Sequence, residues 1–389
     1  MALKFHISTS TYSGEESKVK RYICSFDYWQ MLSLFVLLGT GLAFIYSTGI
    51  QSGNDGFFYR QLFWVCVSVP LYFIFAHIDT RIWQVIAGPF FVISLLLLAV
   101  VLIFGTKISG AKRWLDLGFF NFQPSEVAKL ALIVLLARIF SSPDFKVNNF
   151  FSLIFVLFLI ILPFTLIFLE PDLGSALLLL PCSGVMLTAA GLSRKWIFSL
   201  LGAFVLLVGI LAANEYFQIK PLLRSYHRAR IMAFLNPEDA PRDMTYQQRQ
   251  SELAVGSGGL WGKGIGKGTQ HALGYLPQSA ANNDFIFSVI AEEWGFFRSL
   301  GLLLAFLLLC LRLLCAAYYA EDKFSSYMAL GIATLFFTQI FINIGVNVGI
   351  APVTGLVLPF VSYGGSFLVV GMASAGAVQS IWRKNHDKN

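Results

Sequence analysis

The sequence predicts an all-α polytopic membrane protein of about ten transmembrane helices, with a large extracytoplasmic loop between helices 7 and 8. Three observations predict it. The first is composition: of 389 residues, 57% are hydrophobic and only 13% charged. The mean hydropathy is +0.70, and so few charges would not cover a water-facing surface. The second is run length, because a helix needs about 17–25 apolar residues to cross roughly 30 Å of hydrocarbon. The third is the unequal distribution of lysine and arginine among the connections.

The apolar runs fall at residues 28–49, 57–77, 84–104, 125–140, 150–169, 173–191, 196–213, 297–318, 325–346 and 361–382. The run at 125–140 is short and the one at 361–382 contains glycines, which makes them the weakest spans. Residues 1–27 and 383–389 are read as tails, 214–296 as the large outer loop, and 1–389 as a single membrane domain. The segment from Met1 to Ser25 is polar and has no small-residue cleavage site after an apolar core, so the first run is read as an uncleaved span.

Cytoplasmic connections retain positive charge. Lys4, Lys18, Lys20 and Arg21 precede the first span, Arg194 and Lys195 lie in a tight turn, and Arg383, Lys384 and Lys388 close the chain. The opposite connections carry Arg60, Lys107, Lys112, Arg113 and Lys129. Both termini are therefore expected in the cytoplasm. The net charge of +7 reads as topology plus an outer basic site rather than nucleic-acid binding. The five cysteines and five histidines are scattered, with no disulfide framework or metal spacing.

Polar residues are densest on the outer face. In the long loop, Lys220, Arg224 and Arg228 lie four residues apart, so a helix would carry them as one basic stripe. Such a stripe suits an anionic head group, and equally a solvated or lipid-phosphate-touching face. The glycine-rich run Gly256-Ser257-Gly258-Gly259-Leu260-Trp261-Gly262-Lys263-Gly264-Ile265-Gly266-Lys267-Gly268 permits close backbone approach, but it matches no nucleotide motif and taken alone reads as a flexible turn-rich loop rather than a binding site.

Asp284 lies where the loop becomes apolar. Partial desolvation there would fit a carboxylate for use as a base, while capping the following helix is the simpler role. Glu126 and Lys129 share a helix face and suit an ion pair. Glu170 and Asp172 stand at another helix start, where capping again suffices. Asn343 and Asn347 lie on one face of a late helix. The Pro- and Gly-interrupted stretch after them, at residues 351–366, suits the wall of a polar cleft.

Taken in order, these segments resemble the SEDS family (shape, elongation, division and sporulation). The resemblance is carried by Gly110-Ala111-Lys112-Arg113-Trp114, Gln123-Pro124-Ser125-Glu126, Pro171-Asp172-Leu173-Gly174, Asp284-Phe285-Ile286-Phe287 and Pro359-Phe360-Val361-Ser362-Tyr363-Gly364-Gly365-Ser366. Pro352-Val353-Thr354-Gly355 and Gly268-Thr269-Gln270 look more like its rod-shape elongation branch than its division branch.

The resemblance implies a glycosyltransferase of the bacterial cytoplasmic membrane that polymerises lipid II into peptidoglycan. It implies partnership with a class B penicillin-binding protein and with elongation-complex membrane proteins. The family's essential aspartate maps onto Asp284 and its first-loop tryptophan onto Trp114. The family usually reads L-P-E-x-H-T-D before F-I-F; here Leu276 to Asp284 is two residues longer and lacks the Glu and the His-Thr pair.

On this reading Asp284 takes a proton from the sugar hydroxyl that attacks. Lys112, Arg113, Lys129, Arg224, Arg228, Arg230 and Lys263 are available to neutralise the departing diphosphate, with a divalent cation such as Mg or Mn as a further candidate. Glu126, Asp172 and Ser362 are expected to support the substrate site. A lipid II flippase, another lipid-linked precursor transporter and a division-type polymerase are the rival readings.

Overall fold

A computed structural model describes residues 25–108, 111–116, 118, 120–216 and 242–386. In chain order the helices are α1 (Tyr28–Ser52), α2 (Gly56–His77), α3 (Thr80–Phe104), α4 (Pro124–Ser141), α5 (Phe150–Leu169), α6 (Leu173–Ala189) and α7 (Arg194–Tyr216). Then follow α8 (Arg242–Ser257), α9 (Thr269–Ala272), α10 (Gln278–Asn282), α11 (Ile286–Tyr319), α12 (Lys323–Asn347) and α13 (Gly365–His386). Seven of these, α1, α2, α3, α5, α11, α12 and α13, are long and apolar enough to cross a membrane. The apolar α6 is shorter, and α4 carries Glu126, Lys129 and Arg138.

Local chemistry explains where the helices start. Asp27, Asp79, Asn149, Asp172 and Asp322 each cap a helix by accepting a backbone N–H from its first turn. Pro70, Pro89, Pro163 and Pro181 lie inside helices, which packed neighbours tolerate in a membrane bundle.

The burial pattern is that of a membrane bundle. Val85, Ile103, Phe151 and Phe158 are more than half exposed, while Ser47, Ser68, Ser94 and Gln379 are buried. In water such an apolar exterior would aggregate. Small residues allow close helix contact: at Gly376 of α13, a Cβ would collide with the Tyr72 carbonyl of α2.

Two ends are distinguishable. At one, Arg312 of α11 donates to Asp27 at 2.7 Å, Lys384 approaches Asp322 at 3.4 Å and Arg383 donates to the Ala76 carbonyl at 3.0 Å. The other end holds the start of α11, some 26 residues or ~39 Å of helix from Arg312.

Three departures from the sequence reading stand out. The all-α expectation misses a three-stranded antiparallel sheet, β1 (Thr106–Ile108), β2 (Ala111–Asp116) and β3 (Asn121–Phe122), paired in that order. β-branched and aromatic residues populate it, and Gly118 at φ 86° helps turn β2 into β3. The large loop is partly helical, containing α8, α9 and α10. Finally, α11 begins at Ile286, not near 297, because Gly295 at φ 75° lets the chain kink and continue as helix. The basic stripe Lys220–Arg228 lies outside the described residues.

Candidate functional site

At the end of the bundle where α11 starts lies a cleft of about 960 Å³. Four segments build its walls: the first turns of α2, the β-sheet with the start of α4, the loop before α11, and the irregular chain between α12 and α13. Of the sequence-identified residues, Arg113, Trp114, Glu126 and Asp284 line it.

The ionic wall is tightly organised. Arg113 Nη1 stands 3.8 Å from Asp172 Oδ1. Asp172 also accepts from the Ser175 N–H at 3.1 Å and from Gln123 Nε2 at 3.1 Å. It is thus both the expected cap of α6 and a holder of cleft residues. The ion pair expected between Lys129 and Glu126 is present at 2.8 Å. Lys129 is only 1% exposed, so this amine is committed to Glu126 inside the bundle. A buried pair of this kind is stable only while both partners remain.

Glu170, two residues from Asp172, is fully buried, and both its oxygens lack a hydrogen-bond partner among the described residues. Burial first, and the neighbouring Asp172 second, push its pKa up to about 9 against the pull of Arg113. At neutral pH it is a carboxylic acid.

Asp284 does not cap α11. Phe285 occupies the N-cap position without a side-chain cap bond, leaving the Asp284 side chain on the cleft wall. The backbone behind it is fastened carbonyl by carbonyl. Asn282 O accepts from the Tyr363 N–H at 2.8 Å, Asn283 O from Ser362 Oγ at 2.7 Å, and Asp284 O from both Asn343 and Asn347. Ser362 therefore touches the loop, and its hydroxyl also receives the Leu358 N–H at 2.7 Å.

Lys263 and Lys112 are not among the residues lining the cleft. Lys112 is partly buried on β2. Lys263 donates to Glu292 at 2.6 Å, to Thr269 Oγ1 and to Ser257 Oγ. The glycine run around it is packed, not loose: Lys263 N–H and Gly264 N–H donate to the carbonyls of Glu292 and Glu293. At Gly262, φ 79°, a Cβ would overlap the Glu293 carbonyl and Trp294. Arg224, Arg228 and Arg230 lie outside the described residues. Among the described residues, no group of three or more His, Cys, Asp or Glu is placed to hold a metal ion.

The aromatic wall was missed by the sequence reading. Phe57, Arg60 and Trp64 of α2 line the cleft at helical spacing. Gln61 beside them donates to Ser362 O and accepts from the Gly364 N–H, both at 3.3 Å. Phe57 packs edge-on against Tyr363, and Trp64 against Phe120. The i, i+3, i+4, i+7 recurrence of Phe57, Arg60, Gln61 and Trp64 is visible in the sequence, but at the start of a long apolar run it reads as the ordinary polar edge of a membrane helix.

Fold and site together define a polytopic α-helical membrane protein with an ionic cleft at one end of its bundle. The chain belongs to the cell-cycle protein family of FtsW, RodA and SpoVE, whose model matches residues 24–387. It is 38% identical over 356 residues to peptidoglycan glycosyltransferase MrdB of Escherichia coli strain K12, covering 91% of this chain and 93% of that one. It is 36% identical over 370 residues to a probable peptidoglycan glycosyltransferase FtsW of Geobacter sp. strain M18, covering 93% and 98%. Its fold is similar to the crystal structure of Thermus thermophilus rod shape determining protein RodA, with TM-score 0.68, 29% identity, and 92% and 97% coverage. A chain from a peptidoglycan synthase complex, described for its coordination of polymerization and crosslinking, matches with TM-score 0.77 at 29% identity.

Proposed function

We propose that this protein is an inverting peptidoglycan glycosyltransferase that polymerises lipid II into β-1,4 glycan strands and releases undecaprenyl diphosphate. The observation that carries the reading is the placement of Asp284 and Arg113 on the walls of one cleft, in a chain 38% identical to a peptidoglycan glycosyltransferase. Asp284 Oδ takes the proton of the acceptor 4-hydroxyl as its oxygen attacks the anomeric carbon of the donor. The bond from that carbon to the diphosphate oxygen breaks, and its electron pair leaves with the lipid diphosphate. Cations on the cleft receive the developing charge, with Arg113 held toward it by Asp172. One carboxylate suffices, because a single displacement inverts the α-linked donor to a β product.

Ten helices cross the bilayer on this reading, α1 to α7 and α11 to α13. The cleft faces outward, both termini lie in the cytoplasm, and the segment from α8 to α10 belongs to the large outer loop. Both substrates are anchored in the membrane by polyprenyl tails, which confines their head groups to the depth of the cleft. The partner is a class B penicillin-binding protein that cross-links the strands, and the role is wall elongation. Relatives named for the division type match at 36% identity; a fluorescent fusion along the side wall supports elongation, and one confined to the septum supports division.

Purified protein supplied with labelled lipid II tests the reaction. Polymer is expected from the wild type, with a loss of about 10²–10⁴-fold in Asp284→Ala. Head-group translocation without polymer would instead support the flippase reading.

A further inference from the structure

We infer that Asn347, assisted by Asn343, is a positioning residue that splints the chain at Asp284 and holds it out of helix α11. The inference rests on the proposed role of Asp284. Both asparagines are buried on α12, at 0% and 1% exposure, so each polar atom must find a partner. Asn347 Nδ2 donates to the Asp284 carbonyl at 2.8 Å, and Asn347 Oδ1 accepts from the Ser288 N–H at 3.0 Å. Residues 284 and 288 are the i and i+4 groups that would bond directly to each other if α11 began one turn earlier. The side-chain amide stands between them and satisfies both, donor to one and acceptor to the other.

That insertion has a geometric consequence. Asp284 before a long helix would be drawn into its first turn, or would cap it, and either role would direct its carboxylate at the helix backbone. With Asn347 Oδ1 as one acceptor, the Ser288 N–H finds its backbone acceptor at Phe285 O, 3.1 Å away, in place of Asp284 O. The helix starts at Ile286, and Asp284 remains on the cleft wall. Asn343 adds a second donor to the same carbonyl at 3.0 Å, and its Nδ2 is tied to Leu356 O at 2.7 Å. Asn347 is fixed in turn by Ser251 of α8, which donates to Asn347 O at 3.1 Å. A carboxamide is suited to this task because donor and acceptor lie on one rigid plane. Aspartate lacks the donor, and alanine lacks both.

The test is steady-state polymerisation of lipid II by full-length protein carrying Asn347→Ala or Asn343→Ala, with thermal unfolding of each variant in the same detergent. In Asn347→Ala, kcat is expected to fall at least tenfold while KM for lipid II stays within twofold and the unfolding midpoint is retained. Asn343→Ala is expected to show a smaller fall of the same kind. A folded Asn347→Ala with unchanged kcat overturns the assignment. So does a loss that falls on KM alone, or failure of both variants to fold, since the amides would then serve substrate binding or the core. The wild type in the same assay separates the two ideas: its inactivity would count against the polymerase reading, and activity with an indifferent Asn347→Ala against the splint.

Discussion

At the scale of single residues, the sequence marks the carboxylates better than it marks what they do. Asp284, Asp172 and Glu126 are each legible as an acid at a helix start, where capping explains the two aspartates cheaply and an ion pair with Lys129 explains Glu126. In the structure only Asp172 caps its helix, while Glu126 binds Lys129 and Asp284 lines the cleft. The difference arises from α12 and the 358–363 segment, distant in sequence, which hold the loop by its carbonyls. Glu170 couples folding to pH. Its folded pKa of about 9 lies above the ordinary carboxylate range, so the folded state keeps a proton that the unfolded chain loses. That contribution is greatest below pH ~4 and is lost as pH rises toward 9. Glu170→Gln removes the titration, so the midpoint of the variant minus that of the wild type is expected to increase between pH 5 and pH 8. A difference independent of pH would show that Glu170 is ionised throughout.

At the scale of elements, the glycine-rich run was ambiguous from sequence because density of glycine specifies freedom, not a partner. Its partner is the kink of α11. Gly295, at φ 75° and ψ −173°, adopts a conformation that only glycine takes readily, and a Cβ there would overlap the Gly262 N. Gly295→Ala is expected to destabilise the protein by at least about 1–3 kcal/mol, measured by thermal or denaturant unfolding in detergent. Lys263 lies in the same joint. Its ammonium meets the fully buried Glu292, which also accepts from Thr269 N–H and Oγ1. Lys263→Ala is therefore expected to cost stability, roughly 3–5 kcal/mol for an uncompensated buried charge. Unaltered stability with impaired lipid II binding would place Lys263 at the substrate instead. The small sheet escaped the sequence reading for a related reason: its strands run from two to six residues, too short for a period of two to register beside long apolar helices.

At the scale of the whole molecule, the long helices were legible because hydrocarbon thickness sets the length of an apolar run, and most helix boundaries fall within a few residues of expectation. The cleft was not legible as a cavity, since it is made where four segments meet, including an α2 face that looks like any other apolar helix. The two ends of the bundle carry different chemistry: ion pairs such as Asp27–Arg312 at one, the cleft at the other. In a cysteine-free background, Asp55→Cys between α1 and α2 is expected to react with an impermeant maleimide in whole spheroplasts. Asn148→Cys between α4 and α5 is expected to react only after lysis, and the reverse pattern would turn the bundle over. In the proposed mechanism polymerisation depends on the Asp284 carboxylate, and the direct measurement is the rate of lipid II polymerisation by Asp284→Asn, which preserves shape and removes the base. A rate at least about 10²-fold below wild type, in a protein that unfolds at the same temperature, is expected. A rate equal to wild type would show that Asp284 is not the base.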